Sequence, residues 1–349
     1  MEKDQYKKLI ITRIWEETDE VRLIYFDQPS GKNIDFKAGQ YLTFLFEEAG
    51  KESRRSYSIA ASPVIIEPLY IGVKRIPNGN FSRKLFDYAK PGDVLFTPGA
   101  GGVFTLPDNI LIYRQFFFFA AGSGIIPIYS LIKTLLHSYP AIKIVLVYSN
   151  RSIAKTVFYK ELNDLQRDHS NNLHIEFLFS NTEDLFRARL HADLVSLYLE
   201  TLAIDALDRC LFYVCGPEAY MRFCTFILLG HNIPQEKIKK EIFHTARPVA
   251  RIEPPDKASY NVSIIKGKTE YNIEVQYPTT ILQAARKQGI DMPYSCEVGR
   301  CGNCMATCVK GKIWMSYNEV LTERELSKGL ILTCTGFPVE GDVIIKVES

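Results

Sequence analysis

Four cysteines in the last quarter of the chain constrain its folding more than any other feature. Cys296 and Cys301 are separated by four residues, Cys304 follows after two more, and Cys334 comes after a further 29 intervening residues. Three thiols on one loop can grip one side of a small metal group while the distant fourth closes it. The start, Met1–Gln5, is charged and lacks the apolar core of a signal peptide. A cytoplasmic location is therefore expected, where thiols stay reduced and eight cysteines point to metal or redox chemistry. The net charge of +2 over 349 residues gives no footprint for nucleic-acid binding. The uncharged run from Phe116 to Ile132 is interrupted by Gly122, Ser123, Gly124 and Pro127. It falls short of the roughly 20 apolar residues of a membrane span, so a buried strand turning into a helix is expected and no stable membrane insertion.

The C-x4-C-x2-C…C spacing is that of a [2Fe–2S] cluster. Glu297–Arg300 and the pair Gly302-Asn303 supply small residues whose backbone N–H groups can approach bridging sulfides. A structural zinc site of four cysteines is the alternative, but it usually shows two short knuckles where this chain has one. Cys308 is a spare for which burial in the core is the better reading than ligation.

The length allows two or three domains. Short β-rich stretches (Leu9–Thr12, Val21–Phe26, Tyr41–Phe46, Tyr70–Val73) separated by Gly and Pro turns predict an antiparallel barrel or sandwich. From about Arg114 strands alternate with helices: Phe116–Ala120, then a helix over Ile128–Leu136, strand Ile142–Tyr148, a helix near Phe158–Leu165, strand His174–Phe179, and strand Cys210–Val214 before a helix at Glu218–Leu228. That alternation implies a parallel sheet. A Pro- and charge-rich stretch, 246–258, reads as an extended linker. Beyond it a hairpin is expected around Lys266–Lys268, then a helix over Ile281–Gln288.

Arg55-Ser56-Tyr57-Ser58 offers a guanidinium for a pyrophosphate, a ring to stack on an isoalloxazine, and a small donor near its N5. Val73-Lys74 and Gly79-Asn80-Phe81-Ser82 could add N–H groups and a hydroxyl on phosphate oxygens. Gly122-Ser123-Gly124-Ile125-Ile126-Pro127 follows the apolar strand and opens a helix, where glycines let a pyrophosphate approach the backbone. Pro127 stands where a dinucleotide fingerprint has its third glycine, which argues against a standard Rossmann dehydrogenase.

These motifs, with Pro293–Cys296, Gly299–Cys304 and Leu332–Cys334, resemble in order and spacing the ferredoxin–NADP reductase-like oxygenase reductases that carry a C-terminal plant-type [2Fe–2S] ferredoxin domain. Asn318–Leu321, Glu325, Leu326 and Gly329 are similar to the reductase subunits of phenylacetyl-CoA epoxygenases. The resemblance implies a multidomain fold: an antiparallel β-barrel FAD-binding domain (1–107), an α/β parallel-sheet NAD(P)-binding domain (108–245), the linker, and an α+β (β-grasp) ferredoxin domain (259–349). Some relatives use FMN in place of FAD. It further implies roles for Asn150-Arg151, for Ser180, for Cys215-Gly216-Pro217, and for Glu241 and Phe243 as the acidic and aromatic positions closing the nucleotide domain near the flavin. Ser58, Cys215 and Glu241 would line the site where NADH or NADPH passes hydride to the flavin. Cys296, Cys301, Cys304 and Cys334 would hold the cluster that hands electrons singly to a terminal oxygenase, hydroxylase or desaturase. Relatives preferring NADPH often carry Ser-Arg where this chain has Ser180-Asn181, so the coenzyme stays open. Flow between ferredoxin-type carriers and NADP stays open as well, as does a zinc-stabilised nucleotide-binding interaction protein.

Overall fold

A computed structural model describes residues 6–48, 51–77, 79–243 and 252–347. The chain divides into two compact units, 1–241 and 242–349. Asn78 and the first part of the expected linker, 246–251, lie outside the described residues.

The first unit opens with seven antiparallel strands: β1 (Lys7–Thr18), β2 (Val21–Phe26), β3 (Tyr41–Glu48), β4 (Lys51–Ser58), β5 (Tyr70–Lys74), β6 (Val94–Thr97) and β7 (Gly99–Gly101). They form two sheets, ordered β5-β2-β1-β6 and β4-β3-β7, that close into a barrel-like layer. β1 is longer than its apolar run predicts because bulges between Ile11 and Arg13 and between Glu16 and Thr18 keep it paired to β2 as it bends.

Five parallel strands follow: β8 (Gln115–Ala121), β9 (Lys143–Asn150), β10 (Leu173–Phe179), β11 (Cys210–Cys215) and β12 (Ile238–Glu241), ordered β10-β9-β8-β11-β12. β8 is central and wholly buried, which explains its unbroken run of four phenylalanines. The helices Ile125–Ser138, Tyr159–Asp168, Ala192–Leu202 and Glu218–Gly230 make the crossovers. The first starts three residues earlier than expected, with Pro127 inside its first turn, where a missing N–H costs nothing. Ala192–Leu202 was not anticipated from the sequence pattern. Barrel and parallel sheet share one hydrophobic core, from Leu9 and Phe44 through Phe118 and Leu131 to Tyr213.

The second unit is α+β, with β13 (Tyr260–Lys266), β14 (Thr269–Val275), β15 (Met305–Met315), β16 (Leu330–Leu332) and β17 (Gly336–Val347) ordered β14-β13-β17-β15-β16. β13 and β14 form the expected hairpin, with Lys266 opposite Thr269. The helix Ile281–Lys287 is held by a capping box between Thr280 and Gln283 and buries Ile281, Leu282, Ala284 and Ala285 in a second core. The described end of the expected linker is not a free spacer. The Asp256 carboxylate accepts from Tyr260 Oη at 2.6 Å and from the Glu340 amide at 3.0 Å, while Glu253 accepts from Tyr277 Oη at 3.3 Å. The side chains these bonds need are spread along the second unit, so the stretch is legible as a linker in composition yet is packed as part of that unit.

Candidate functional site

The parallel strands bring the nucleotide motifs to one edge. Strand order reverses at β8, flanked by β9 and β11, and in such sheets ligands lie in the crevice outside the carboxyl ends. Gly122 and Gly124 follow β8, Asn150 ends β9, Cys215 ends β11 with Gly216 and Pro217 beyond it, and Glu241 ends β12. A Cβ on Gly124 would lie 2.2 Å from the Cys215 carbonyl oxygen, so only glycine lets the ends of β8 and β11 come this close. Ile125 is fully buried beneath the turn, and Tyr148 Oη donates to the Gly122 carbonyl at 3.0 Å.

Buried polar atoms without a hydrogen-bond partner collect along this edge: Ser149 Oγ, Asn150 Nδ2, Tyr220 Oη and Glu241 Oε2. Tyr220 Oη faces Ser149 and Cys224 without closing a bond to either. Each such atom costs about 1–3 kcal/mol when left unsatisfied, and a ligand rich in phosphate and amide groups offsets that cost. The residues present therefore fit a nicotinamide dinucleotide.

Glu241 pairs in register with Cys215, whose Sγ donates to the Glu241 carbonyl at 3.5 Å. Burial pushes the Glu241 carboxyl up to about 8, so near neutrality it carries a proton it can donate. Burial, reinforced by Glu241, also pushes the Cys215 thiol well up, which keeps it a thiol. Phe243, beyond β12, is exposed.

On the barrel, β4 carries the flavin motif. Alternation sets Arg55 and Tyr57 on one face and Ser56 and Ser58 on the other. Arg55 is exposed, with its guanidinium 4.9 Å from the Phe81 ring centre, and donates to the Arg54 carbonyl at 2.7 Å. Burial raises the Tyr57 phenol, Ser56 Oγ lies 2.9 Å from Thr43 Oγ1, and Ser58 is buried opposite Tyr41. Val73 is buried in β5, and Lys74 Nζ lies 3.4 Å from Glu20. In the turn 79–83, Asn80 opens a short helix, and Ser82 Oγ accepts from the Ile76 amide at 3.2 Å and donates to the Gly79 carbonyl at 3.2 Å. This ordered turn beside an exposed guanidinium and a recessed phenol fits a flavin with its phosphates.

Ser180 and Asn181 follow β10 and are exposed, their amides bonded to the carbonyls of Asn150 and Arg151 at 3.0 and 3.2 Å. Arg187 is engaged by Glu176, and Arg151 Nη1 lies 3.8 Å from Glu20.

In the second unit the four cysteines lie together: Cys301 is next to Cys296 and Cys304, and Cys304 is next to Cys334 and Cys296. Chain pairing explains the distant fourth residue: Met305 of β15 lies opposite Leu332 of β16, and Thr333 bonds the Cys304 carbonyl through both Oγ1 (3.0 Å) and its amide (3.1 Å). The bond to Cys301, aided by the backbone N–H groups of Val298, Arg300 and Cys301, pulls Cys296 down to about 6. The four thiols, three from one loop and one from just beyond β16, fit a [2Fe–2S] cluster. Arg300, 8% exposed, braces the loop through Glu319 at 2.8 Å, and Glu319 accepts from Tyr317 Oη at 2.6 Å. Cys308 stands apart on β15, half-buried against the second core and not inside it, because its Sγ turns to the carbonyls of Lys310 and Gly311.

Comparison with known proteins agrees with this geometry. Residues 8–106 match the oxidoreductase FAD-binding domain, 118–225 the oxidoreductase NAD-binding domain, and 264–339 the 2Fe-2S iron-sulfur cluster binding domain. The chain is 30% identical over 363 residues to the ferredoxin reductase component of 3-ketosteroid-9-alpha-monooxygenase from Mycobacterium tuberculosis, covering 99% of this chain and 97% of that one. This chain belongs to the oxygenase reductase family. It is 29% identical to a subunit of the 1,2-phenylacetyl-CoA epoxidase of Escherichia coli K12, covering 99% and 98% of the two chains. Phthalate dioxygenase reductase shares the fold with a TM-score of 0.61 at 23% identity, over 99% of this chain and 98% of that one. An intact type IV self-sufficient cytochrome P450 monooxygenase also shares it (TM-score 0.72, 20% identity); 97% of this chain matches 41% of that longer one. As a member of this family the chain is an NAD(P)H-dependent oxidoreductase with FAD, nicotinamide and [2Fe–2S] domains.

Tyr220 and the contact between Arg300 and Glu319 were not read from the sequence. Arg300 and Glu319 each lie in a stretch that carries the family resemblance, but nothing local pairs them. Tyr220 lies in ordinary helical sequence with no local signal.

Proposed function

We propose that this chain draws electron pairs from NADH or NADPH and releases them one at a time to a terminal oxygenase, hydroxylase or desaturase in the cytoplasm. When bound, FAD takes hydride from the nicotinamide and the [2Fe–2S] cluster carries single electrons away. Ser58 lies on the flavin side, and Cys215 and Glu241 line the nicotinamide side. The carboxyl of Glu241, protonated near neutrality, holds a proton beside the transfer site, while the Cys215 thiol packs there uncharged. Arg55, Ser56, Tyr57, Val73, Lys74 and the turn Gly79–Ser82 hold the flavin nucleotide. Gly122, Gly124, Ile125, Pro127, Asn150, Arg151, Ser180, Gly216, Pro217 and Phe243 hold the coenzyme. Cys296, Cys301, Cys304 and Cys334 would hold the cluster. The corresponding division is 1–107, 108–245, a connecting stretch 246–258, and 259–349.

The observation that carries this reading is the gathering of the four thiols in the second unit, on the same chain as a parallel-sheet nucleotide crevice. The relatives it matches are reductase components of monooxygenases, which supports an oxidised organic substrate that belongs to a partner protein. No helix among the described residues is long and apolar enough to cross a membrane. Anaerobic rapid mixing with NADH or NADPH tests the reading: flavin bleaching precedes cluster bleaching. Cluster reduction that leads flavin reduction, or a chain that binds zinc and no iron, defeats it.

A further inference from the structure

We propose that Lys133 and Glu67 are positioning residues: with Ser130 and Thr134 they fasten the helix Ile125–Ser138 to the flavin barrel in one register, and so aim the nicotinamide site at the flavin site. The inference rests on the function proposed above and assigns part of it to residues outside both candidate cofactor sites.

The helix has two duties. Its N-terminus continues directly from the Gly122–Gly124 turn, while its body lies against the barrel. Ile126, Ser130, Lys133 and Thr134 recur at helical spacing and share that barrel-facing side. At the start of this face the Ile126 side chain packs directly onto the bare backbone of Gly72 in β5, where a Cβ would sit 2.3 Å from Ile126 Cδ1. Gly72 immediately precedes Val73 and Lys74, so the flavin strand and the nucleotide helix meet without an intervening layer.

Apolar contact alone leaves packed helices free to slide by small amounts. Here the rest of the seam is polar and directional. Ser130 Oγ donates to the Ala61 carbonyl at 2.5 Å, and Ser62 Oγ lies 2.7 Å from Thr134 Oγ1. Lys133 Nζ donates to Glu67 Oε1 at 2.5 Å and to Tyr70 Oη at 3.1 Å, and Glu67 Oε1 also accepts from the Ser62 amide at 2.6 Å. Lys133 is only 6% exposed, with the rings of Tyr129 and Tyr70 at 4.6 and 5.2 Å from its nitrogen. A buried charge bonded to one carboxylate and one phenol, and enclosed by two rings, tolerates no shift of register without losing its partners. Burial pulls the Lys133 ammonium toward lower pKa and Glu67 opposes that pull. Tyr70 belongs to the same strand as Val73 and Lys74, so a displacement of the seam moves both sites relative to each other. Transfer between bound groups is steep in geometry: a misplacement of about 1 Å can lower a rate on the order of 100-fold.

The test uses the full flavin- and cluster-loaded chain. Lys133→Met/Glu67→Gln removes both charges together, so neither is left buried without its partner. The rate of flavin reduction on rapid mixing with NADH is expected to fall roughly 10- to 100-fold. The NAD+ dissociation constant from calorimetry should stay within about twofold, the signature of a lost positioning contact and not of lost binding. Amide hydrogen exchange over Ile128–Leu136 should quicken in the variant. Ser62→Ala/Thr134→Val, which disturbs the seam without touching a charge, should slow reduction in the same direction and by less. Equal rates in wild type and double variant overturn the inference, and so does a fall in rate matched by an equal fall in NAD+ affinity. A wild-type chain that binds flavin yet takes no electrons from NADH or NADPH overturns the proposed function itself, and this inference with it.

Discussion

Glu241→Gln isolates the free energy of holding one carboxyl in the crevice. Burial raises Glu241 from 4.5 to about 8, and one of its oxygens has no hydrogen-bond partner. Between those two values the folded chain binds a proton that the unfolded chain has released. Folded stability therefore falls as pH rises through this window and levels off above about 8. At about 1.4 kcal/mol per unit, the penalty grows by about 2 kcal/mol between pH 6 and pH 8. Gln carries no such dependence and keeps the shape. Urea unfolding of the flavin-loaded chain at several pH values measures the effect. Each unit holds one tryptophan, Trp15 in the first and Trp314 in the second. Trp15 emission in a Trp314→Phe background therefore follows the unit that contains Glu241. The variant should gain on the wild type by about 2 kcal/mol from pH 6 to pH 8, the gain flattening within roughly a unit above that. Two curves that stay parallel across the range would mean that Glu241 is ionised in the folded protein and that its role as a proton holder is wrong.

Three further outcomes are expected. Cys334→Ser should lose iron and the visible cluster spectrum while flavin content stays, because Cys334 lies in the second unit and the flavin motifs in the first; Cys308→Ser should keep both, and the opposite pattern by iron analysis would reverse the ligand assignment. Asn181→Arg should shift kcat/KM toward NADPH by about an order of magnitude relative to NADH, since a charge-assisted bond to a 2′-phosphate contributes about 1.5–3 kcal/mol; paired steady-state kinetics with an unchanged ratio would remove position 181 from the 2′ region. Gly124→Ala should lower the thermal midpoint by roughly 2–10 °C, as overpacking of about 1–3 kcal/mol spreads β8 from β11, and should weaken NAD+ binding in calorimetry; an unshifted midpoint would contradict the close approach to Cys215.

Features whose chemistry is local in sequence were legible before any coordinates. The C-x4-C-x2-C loop, the Gly122–Pro127 turn and the apolar β8 each carry their signal within a dozen residues. The approach of Cys334 to Cys304 is different, because it depends on β15 and β16 pairing Met305 with Leu332, and neither strand announces its partner. The long β15 and β17 hold charged side chains along their length, which hides their alternation. The seam around Lys133 was hidden for a related reason. A lysine in a helix reads as solvated until a loop some 66 positions earlier supplies Glu67. The bonds of the 252–258 stretch were hidden because proline and charge describe a connecting stretch equally well whether or not Asp256 meets Tyr260 and the Glu340 amide.

The central place of β8 also has a consequence during synthesis. Its neighbour β9 follows within a few tens of residues, but its other edge is closed only by β11, through Gln115–Cys210 to Ala120–Cys215. At about 5–20 residues per second, the roughly 95 residues between those partners leave that edge open for on the order of 5–20 s on the ribosome. The exposed segment is Phe116–Ala121, uncharged and without proline, which is the composition that stacks into intermolecular sheets. A nascent chain paused anywhere before Cys210 therefore displays an adhesive strand to its neighbours in a polysome. Chaperone demand should peak in that interval and fall once Cys210–Cys215 emerges and docks.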